Sequence, residues 1–515
     1  MFTKVLIANR GAIATRIERT LARMGVKSVA VYSEADKDSL HVENADEAVY
    51  LGDGPAADTY LDIDKVLAAA RETGAQAVHP GYGFLSENVE FARACAAAGI
   101  AFIGPTPEQI ECFGLKHVAR ELAKKAGVPL LSGSGLIASA DEAVRTAHGI
   151  GYPVMLKSSA GGGGIGMRIC HDDDELRSTF ASVKHLAAAN FGDSSVFLEK
   201  YIEHARHVEV QIFGTADDVV ALAERDCSVQ RRNQKVVEET PAPNLSPEVR
   251  GKMLAAAEAM ARSVGYRNAG TVEFLYDEQS EQFFFLEVNT RLQVEHGITE
   301  ECSGIDLVEW MVREAAGELT DIRSLVHEPH GAAIEVRLYA EDPFNGFLPA
   351  TGKIDEVVFG SEARVETWVR KGVEVSSLFD PMVAKIIVHA PDRAQAQEKM
   401  RRVLAQTRVY GLTTNLMYLQ ALLEREDYRE GHVSTRMLDG FHPSEPALEV
   451  LDGGIQTSVQ DYPGFTGYWA VGVPPCGPMD MLSQRLGNAL LGNSEHAPAL
   501  EMTMKGGAFR FRTAV

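Results

Sequence analysis

Short apolar runs alternate with a helical pattern at the start of the chain. An apolar run from Lys4 to Ala8 leads into a helix-like period that ends near Gly25, and a second run covers Ser28 to Tyr32. This order predicts a right-handed βαβ unit in a parallel sheet, which the apolar segments Ala77-Val78 and Ile100 to Ile103 extend. We expect an α/β domain over residues 1–113.

The middle of the chain changes from this pattern to alternating strands. Residues 114–205 hold three short strand patterns around the glycine run at 160–166, which predicts a linker and a lid. Residues 206–330 are dominated by strands in which apolar and polar positions alternate, with one helical stretch from Pro247 to Val264. Alternation predicts an antiparallel sheet with one buried face, and we expect the helix to cover the back of that sheet.

A further α+β segment spans residues 331–441 and ends at a linker with two prolines, His442 to Pro446. A new apolar pattern then covers residues 448–515. The roughly 70 residues after the linker are few for a stable domain, so we expect the chain to stop within one. The predicted fold class is therefore a multidomain α/β and α+β protein.

Composition narrows the function classes. The 515 residues are 45% hydrophobic and 24% charged, with a formal net charge of −22. Nucleic acids and anionic membranes both need a basic face, so neither is an expected partner, and no apolar stretch approaches the roughly 18 residues of a membrane span. Six scattered cysteines without a CxxC pair favour reduced thiols over disulfides or a zinc site. We expect a cytoplasmic enzyme.

Glycine and lysine residues suggest a phosphate site. Gly161 to Gly164 and Gly166 lie between two predicted strands, where their backbone N–H groups could close over phosphates. Lys157 ends the strand before this loop, and Lys116 is a second ammonium group that could reach a triphosphate. A glycine-rich hairpin without a ligand, flanked by ordinary surface lysines, is the alternative.

Carboxylates on the later strands suggest a metal site. Glu273, Glu287 and Asn289 would place three oxygen ligands on neighbouring strands, and Mg²⁺ bound with nucleotide phosphates needs such ligands. Lys235, in another polar strand, is a candidate to neutralise a transferring phosphoryl group. Glutamates that simply face solvent are the alternative.

The segment NTRLQVEH, residues 289–296, is the most informative polar pattern. Arg291, Gln293 and Glu295 alternate with apolar residues, so we expect them to share one strand face. Together they suit a small planar anion that must be held, oriented and deprotonated. A solvated outer strand face is the alternative.

Together with the segments around them, these residues make the chain resemble the biotin carboxylase of biotin-dependent carboxylases, an ATP-grasp family. The resemblance covers residues 1 to about 440. It is carried by IANRG at 7–11, HPGYGFLSEN at 79–88, FIGP at 102–105, ERDCSVQRRNQKVVEE at 224–239, NTRLQVEH at 289–296 and FDPMVAK at 379–385.

The resemblance implies the site residues. It places ATP at Lys116, Lys157, Gly163, Gly164, Glu199, Lys200, Ile202, His207, Gln230 and Asn233. It places Mg²⁺ or Mn²⁺ at Glu273, Glu287 and Asn289, and bicarbonate at Lys235, Arg291, Gln293, Val294 and Glu295. Arg337 matches the arginine that stabilises the biotin enolate, so the implied catalytic set is Lys235, Arg291, Glu295 and Arg337.

The implied mechanism has two stages. Bicarbonate, oriented by Arg291 and deprotonated by Glu295, attacks the γ-phosphate of ATP and gives carboxyphosphate and ADP. Carboxyphosphate then releases CO₂ beside biotin, and the departing phosphate removes the biotin ring N–H. Four positions depart from the acyl-CoA carboxylase type: Ala12 replaces Glu, Ile165 replaces Arg, Asn233 replaces His and Gly297 replaces Pro.

The tail indicates a subgroup. Residues 450–493 resemble the start of the allophanate-hydrolase-subunit-2-like domain that follows biotin carboxylase in urea carboxylase and guanidine carboxylase. No Met-Lys-Met biotin-attachment motif occurs in the chain, so biotin is expected on a carrier domain outside it. The resemblance implies that carrier and a carboxyltransferase domain as partners, in the same polypeptide, and allows a homodimer.

Three other functions remain open. An acyl-CoA or pyruvate carboxylase would keep the chemistry and change only the acceptor, but the tail argues against it. Another ATP-grasp ligase would not explain Arg291, Glu295 and Arg337 together. A non-catalytic ATP-binding regulator is the remote alternative, because the tail also resembles regulators built on that domain.

Overall fold

The computed structural model describes residues 1–159, 166–191, 194–444 and 448–511. The chain forms two compact units, Met1–Phe441 and His442–Val515. The predicted phosphate contacts at Gly163 and Gly164, and the departure at Ile165, lie outside the described residues.

A parallel sheet of five strands begins the larger unit, in the order β3-β2-β1-β4-β5. Its elements are β1 Lys4–Ile7, α1 Gly11–Met24, β2 Lys27–Ser33, α2 Leu40–Asn44, β3 Glu47–Gly52, α3 Ile63–Thr73, β4 Ala77–His79, α4 Val89–Ala97, β5 Ala101–Phe102 and α5 Pro107–Gly114. Gly25, in the left-handed conformation with φ 70°, ends α1. The predicted α/β architecture is confirmed.

A small antiparallel sheet follows, with the strand order β7-β6-β8. The elements of this segment are α6 Lys116–Lys125, α7 Ala140–Ile150, β6 Val154–Ser158, β7 Met167–Cys170, α8 Asp173–Phe191 and β8 Val196–Lys200. The helices α7 and α8 share an apolar cluster with these strands, in which Val144, Leu156 and Leu198 are buried. The three strand patterns that flank the glycine run are confirmed.

An antiparallel sheet of eight strands holds the centre of the larger unit, in the order β13-β12-β9-β10-β11-β14-β21-β19. Its first part contains β9 Ala205–Gly214, β10 Val219–Arg231, β11 Gln234–Thr240, α9 Pro247–Ser263, β12 Asn268–Asp277, β13 Gln282–Asn289, α10 His296–Ser303, α11 Leu307–Ala315 and α12 Ile322–Leu325. Helix α9 packs against β9 and β10 through Met253, Ala257 and Met260, as the sequence predicts.

The same sheet continues into the last segment of this unit through β14, β21 and β19. That segment contains β14 Ala332–Tyr339, β15 Glu341–Asp342, β16 Leu348–Pro349, β17 Gly352–Lys353, β18 Glu356–Val358, β19 Arg364–Thr367, β20 Glu374–Val375, β21 Met382–Ala390, α13 Arg393–Gln406, β22 Arg408–Tyr410, α14 Leu416–Leu423 and α15 Glu426–Glu430. Helices α13 and α14 bury Met400 and Leu419 in the cluster that contains Val336 of β14.

One predicted strand is shorter than expected. Strand β13 ends at Asn289, and α10 begins at His296. Between them, the Thr290 N–H and the Val294 carbonyl form hydrogen bonds with side chains from other segments. Because no strand of the described residues pairs with residues 290–295, the prediction of one shared strand face is wrong for Arg291, Gln293 and Glu295.

The smaller unit contains β23 Leu448–Asp452, β24 Gln456–Gln460, α16 Met481–Leu490, β25 Ala499–Thr503 and β26 Ala508–Phe511. Its strands form two antiparallel pairs, β23 with β26 and β24 with β25. Among the described residues of the whole chain, no helix has the length and apolar content needed to cross a membrane.

The turn between β10 and β11 consists of two residues, Arg232 and Asn233. Arg231 pairs with Gln234 across the hairpin, and both turn residues have positive φ, 50° and 66°. Type I′ turns require such angles, and asparagine tolerates them better than most residues. The departure at position 233 therefore suits the backbone of this turn.

We expect Asn233→Ala to lower the free energy of unfolding by about 1 kcal/mol, because alanine adopts positive φ poorly. Asn233→Gly should remain within about 0.5 kcal/mol of the original protein, since glycine has no such penalty. Thermal denaturation of both variants measures the difference. Equal losses in the two variants would contradict this account of the turn.

Candidate active site

The register of β12 and β13 brings the predicted metal ligands together. Glu273 pairs directly with Glu287, and Thr271 pairs with Asn289, so the three side chains lie on adjacent strands. The Asn289 amide donates to Glu273 Oε1 at 2.9 Å. Glu273 and Asn289 are buried. Carboxylate and amide oxygens in this arrangement fit a Mg²⁺ or Mn²⁺ ion.

The Lys235 ammonium lies among three buried carboxylates. It donates to Glu295 Oε1 at 2.6 Å, to Glu209 Oε2 at 2.7 Å and to Glu273 Oε1 at 3.2 Å. Burial by itself would lower the pKa of Lys235, but the surrounding negative charge raises it well above its ordinary value. The ammonium group therefore stays charged, and it joins the predicted metal and bicarbonate residues.

Glu209 is shared between Lys235 and Arg225. The Arg225 guanidinium, also fully buried, donates to Glu209 Oε1 at 2.7 Å, and its remaining N–H groups bond to Gln211, Thr271 and Thr299. Every side of this guanidinium is occupied by an acceptor from the central sheet or from α10. Arg225 thus fixes the carboxylate that contacts Lys235.

Glu295 precedes α10 and is fully buried. Its two carboxylate oxygens receive hydrogen bonds from different cations, Oε1 from Lys235 at 2.6 Å and Oε2 from Arg337 at 3.0 Å. Burial would raise the pKa of Glu295, but these cations hold it well below its ordinary value. The group is therefore ionised and able to accept a proton.

Arg291 is oriented by acceptors on three sides. Its Nε donates to Glu87 Oε2 at 2.8 Å, Nη1 to Gln293 Oε1 at 2.9 Å and Nη2 to Asn289 Oδ1 at 3.1 Å. Glu87 also accepts the backbone N–H of Thr290 at 3.0 Å. The guanidinium is thereby connected to the predicted metal ligands, although it does not lie on a strand.

Arg337 lies on β14, where Nε donates to Glu238 Oε1 at 2.6 Å. One residue after Gln293, the Val294 carbonyl accepts a hydrogen bond from the buried Lys385 ammonium at 2.6 Å. Arg291, Val294 and Arg337 all line one cavity of about 530 Å³. Two of the predicted bicarbonate residues and the predicted biotin residue thus meet at a common space.

Aromatic side chains also form a wall of this cavity. Arg10 is held by both oxygens of Asp36, and its guanidinium lies 4.7 Å from the ring centres of Trp368 and of Phe379. Ala12, one of the four departures, lines the same wall. The cavity therefore combines guanidinium groups with apolar surface, as a partly polar ring system requires.

The predicted ATP residues of the lid segment pair with one another. The Glu199 carboxylate contacts both Lys157 and Arg120. Lys116, at the start of α6, lies 3.9 Å from Glu287 Oε2. Burial and the neighbouring cations lower the pKa of Lys157 to about 7. Of these residues, Lys116 is the one that contacts a predicted metal ligand.

The remaining predicted ATP residues that the structure describes lie in different parts of the larger unit. His207 lies 3.1 Å from Glu273 Oε2, and Gln230 bonds to its Nδ1 at 2.9 Å. The Lys200 ammonium is bound instead to the carbonyl groups of Gly151 and Tyr152. Ile202 lies in the loop after β8, and Asn233 is exposed in its turn, so neither joins the network around Lys235.

Three family models match the larger unit: "Biotin carboxylase, N-terminal domain" at residues 1–110, "Carbamoyl-phosphate synthase L chain, ATP binding domain" at 116–322 and "Biotin carboxylase C-terminal domain" at 335–440. A biotin carboxylase of Halalkalibacterium halodurans is 49% identical over 84% of this chain and 97% of its own length. The chain belongs to the biotin carboxylase family. Its members are biotin-dependent and ATP-dependent ligases.

Two further comparisons concern ligands and the subgroup. The solved biotin carboxylase domain dimer of Hydrogenobacter thermophilus 2-oxoglutarate carboxylase, in complex with MgADP, ADP and bicarbonate, is 44% identical, with a TM-score of 0.81 over 85% of this chain and 98% of that one. A urea amidolyase of Lachancea kluyveri is 53% identical over 99% of this chain but only 28% of its own length.

The smaller unit has its own match. The model "Carboxyltransferase domain, subdomain A and B" covers residues 471–515, in agreement with the resemblance expected for the tail. The chain spans less than half the length of the urea amidolyase and urea carboxylase relatives that it matches.

Several residues that support this biotin carboxylase site were not predicted from the sequence. Glu87 lies within the motif HPGYGFLSEN and Lys385 within FDPMVAK. The motifs therefore identified the two segments, but they did not show which residues these side chains contact. Arg225 and Glu238 lie within ERDCSVQRRNQKVVEE, again without their contacts, and Glu209 lies outside the quoted motifs.

We expect Arg225→Met to lower the free energy of unfolding by about 3–5 kcal/mol, because it leaves the Glu209 carboxylate buried with one cation fewer. Burial already raises the pKa of Glu209, and loss of Arg225 raises it further. A raised folded-state pKa favours the folded protein at low pH, so the deficit should be smaller near pH 5 than near pH 8.

Chemical denaturation of Arg225→Met at both pH values measures this effect. The double variant Arg225→Met/Glu209→Gln is the matched control, because it removes the charge that Arg225 neutralises. We expect the double variant to be more stable than Arg225→Met and insensitive to this pH change. A deficit that is independent of pH in both variants would contradict the electrostatic explanation.

Proposed function

We propose that this chain carboxylates biotin at the expense of ATP and bicarbonate. The observation that carries the proposal is the continuous network in which Lys235 and Glu295 connect the Glu273 carboxylate of β12 to Arg337 at the cavity. Phosphoryl transfer and carboxyl transfer need adjacent sites, because the intermediate must pass from one to the other before water destroys it. The network provides that adjacency.

Bicarbonate is expected between Arg291 and Lys235, where two fixed cations can orient its oxygens. Glu295 is ionised and bonded to Lys235, so it is placed to accept the bicarbonate proton as the oxygen attacks the γ-phosphate. Products of this step are carboxyphosphate and ADP. Bound Mg²⁺ would supply positive charge to the transferring phosphates, and Glu273, Glu287 and Asn289 would hold it.

Carboxyphosphate releases CO₂ and phosphate in the second stage. The phosphate takes the ring N–H proton of biotin, and the nitrogen then attacks CO₂ to form carboxybiotin. The Arg337 guanidinium, fixed by two carboxylates, is placed to stabilise the negative charge that develops on the biotin ureido oxygen. The aromatic wall formed by Trp368 and Phe379 offers apolar contact to the remainder of the bicyclic ring.

ATP cleavage by the full chain tests this function. We expect ADP release to require bicarbonate and to increase when free biotin is added. The two ligands should be omitted separately, so that slow hydrolysis of carboxyphosphate is distinguished from carboxylation. A rate of ATP cleavage that responds to neither bicarbonate nor biotin would exclude biotin carboxylase activity and favour a nucleotide-binding regulator.

We expect Arg337→Ala to reduce the biotin-stimulated rate by about 100-fold or more, since one preorganised donor to a developing oxyanion contributes on that scale. ATP affinity should change less than about twofold. Arg393→Ala is the matched control, because Arg393 pairs with the neighbouring buried carboxylate Glu239 and lies outside the cavity. Equal losses of ATP affinity and biotin-stimulated rate in Arg337→Ala would contradict the assigned role.

For the whole protein, urea is the proposed acceptor of the carboxyl group. The support is the carboxyltransferase match of residues 471–515 together with the identity to urea amidolyase across nearly the entire chain. The biotin carrier and the rest of the carboxyltransferase domain are then expected in one polypeptide, and a homodimer and a cytoplasmic location remain predictions. In such a polypeptide, ATP cleavage should increase with urea; an increase with guanidine alone would assign that acceptor instead.

A further inference from the structure

A carboxylate pair lies beneath Arg337 on the central sheet. Glu238 of β11 and Glu335 of β14 are direct partners in the antiparallel register, so their side chains leave the same face of the sheet. Arg337 leaves that face two residues further along β14. All three side chains are buried, and the two carboxylates have no exposed surface.

The hydrogen bonds of this group are unequal. Glu238 Oε1 accepts from Arg337, whereas Glu238 Oε2 and both oxygens of Glu335 have no hydrogen-bond donor among the described residues. A buried carboxylate without a donor costs several kcal/mol, which protonation removes. One proton on Glu335 would give the pair a donor, because the resulting O–H can bond to Glu238 Oε2.

The surrounding charges favour this distribution of the proton. Arg337 lies against Glu238 and stabilises its charged form, while no cation forms an ion pair with Glu335 among the described residues. Lys385, the nearest candidate on β21, is bound to Glu366 and to the Val294 carbonyl. The other titratable groups around the pair are Lys235, Cys227, Glu295, His296, Glu300, Tyr82, Tyr339 and Arg364. Arg364 is itself bound to carboxylates other than Glu335.

The pKa directions agree with the contacts. Burial raises the pKa of Glu335 well above its ordinary value, and it raises that of Glu238 to about 7 despite the opposing effect of Arg337. The raised pKa and the missing donors both favour the neutral form of Glu335. Glu238 is charged above about pH 7 and gains a proton below it.

We propose that Glu238 is a positioning residue for Arg337, and that Glu335 is the neutral carboxyl group that holds Glu238 in place. The charged Glu238 fixes the Nε and Nη2 side of the guanidinium, so that Arg337 faces the cavity at one angle. This inference rests on the proposed function, because the guanidinium is taken to act on biotin.

Glu238→Gln in the full chain tests the first half of the proposal. The amide keeps the size of the side chain but removes the charge that orients Arg337. We expect kcat for the biotin-stimulated reaction to fall about tenfold or more, while the ATP KM and the slow biotin-independent cleavage change less than about twofold. If Glu238 had a purely structural role, Glu238→Gln would impair the biotin-stimulated kcat, the ATP KM and the biotin-independent cleavage together.

Glu239→Gln is the matched control. It removes a neighbouring buried carboxylate on the same strand, which pairs with Arg393 away from the cavity. Thermal denaturation should show destabilisation of both variants, whereas only Glu238→Gln should selectively lose the biotin-stimulated rate. Similar rates in the two variants would overturn the positioning role.

Glu335 variants test the second half. Glu335→Gln should keep the rate and its pH profile, since an amide N–H replaces the carboxyl O–H without a change of charge. Glu335→Ala removes the donor to Glu238, which raises the pKa of Glu238, so the acidic limb of the biotin-stimulated rate should move to higher pH. If Glu335→Gln moved this limb as far as Glu335→Ala, Glu335 would not be the neutral member.

The unmodified chain separates this proposal from the proposed function. If it shows no bicarbonate-dependent, biotin-stimulated ATP cleavage, the proposed function fails and the positioning role fails with it. If it shows that activity and Glu238→Gln retains it fully, the function stands and the positioning role alone is overturned.

Discussion

The contact of one ammonium group with three buried carboxylates determines how this site is built. Lys235 cannot be buried without negative partners, and Glu209, Glu273 and Glu295 cannot be buried without a cation. Each carboxylate comes from a different segment, so the ammonium group links β9, β11, β12 and the start of α10. The need to balance the Lys235 charge with these carboxylates therefore determines where the proposed base lies relative to the proposed metal ligands.

The same constraint explains the surroundings of Arg337. Adjacent residues of β11 point to opposite sides of the sheet, and each pairs with an arginine: Glu238 with the buried Arg337 and Glu239 with the half-buried Arg393. The two pairs are chemically alike, yet only Arg337 lines the cavity. Pairs of a carboxylate with an arginine are therefore part of the scaffold. The pair that contains Arg337 lies at the cavity, and this position gives it a chemical role as well.

Sequence patterns predicted the sheets better than the contacts within the site. The alternation of apolar and polar residues identified the strands that carry Glu273 and Glu287. Once β12 and β13 form a hairpin, the two glutamates face each other. Alternation also misled, because residues 290–295 have the same polar pattern as a strand but direct their backbone groups to Glu87 and Lys385. Periodicity reports which residues alternate in polarity, and it contains no information about the partner of each backbone group.

The resemblance supplied residues that periodicity could not, such as Arg337, but it did not supply their supports. Glu87, Glu238 and Lys385 contact residues between 91 and 204 positions away. Such pairs depend on the order of strands in the sheet, which single-sequence patterns do not determine. Their types are also ordinary, because charged residues are expected at the surface, and only burial shows that Glu238 and Lys385 are part of the interior.

Two departures from the family pattern show how neighbours adjust to a change. A Cβ atom at Gly297 would lie 2.5 Å from Ile387 Cδ1, so the bulk that a proline would place there is taken by the isoleucine of β21. Ala12 lies beside Trp368 in the same apolar cluster and lines the same cavity wall. A glutamate at position 12 would bring a carboxylate to a wall whose nearest cation, Arg10, is already bound to Asp36. The alanine keeps that wall apolar, which suits contact with an uncharged ring rather than with an anion.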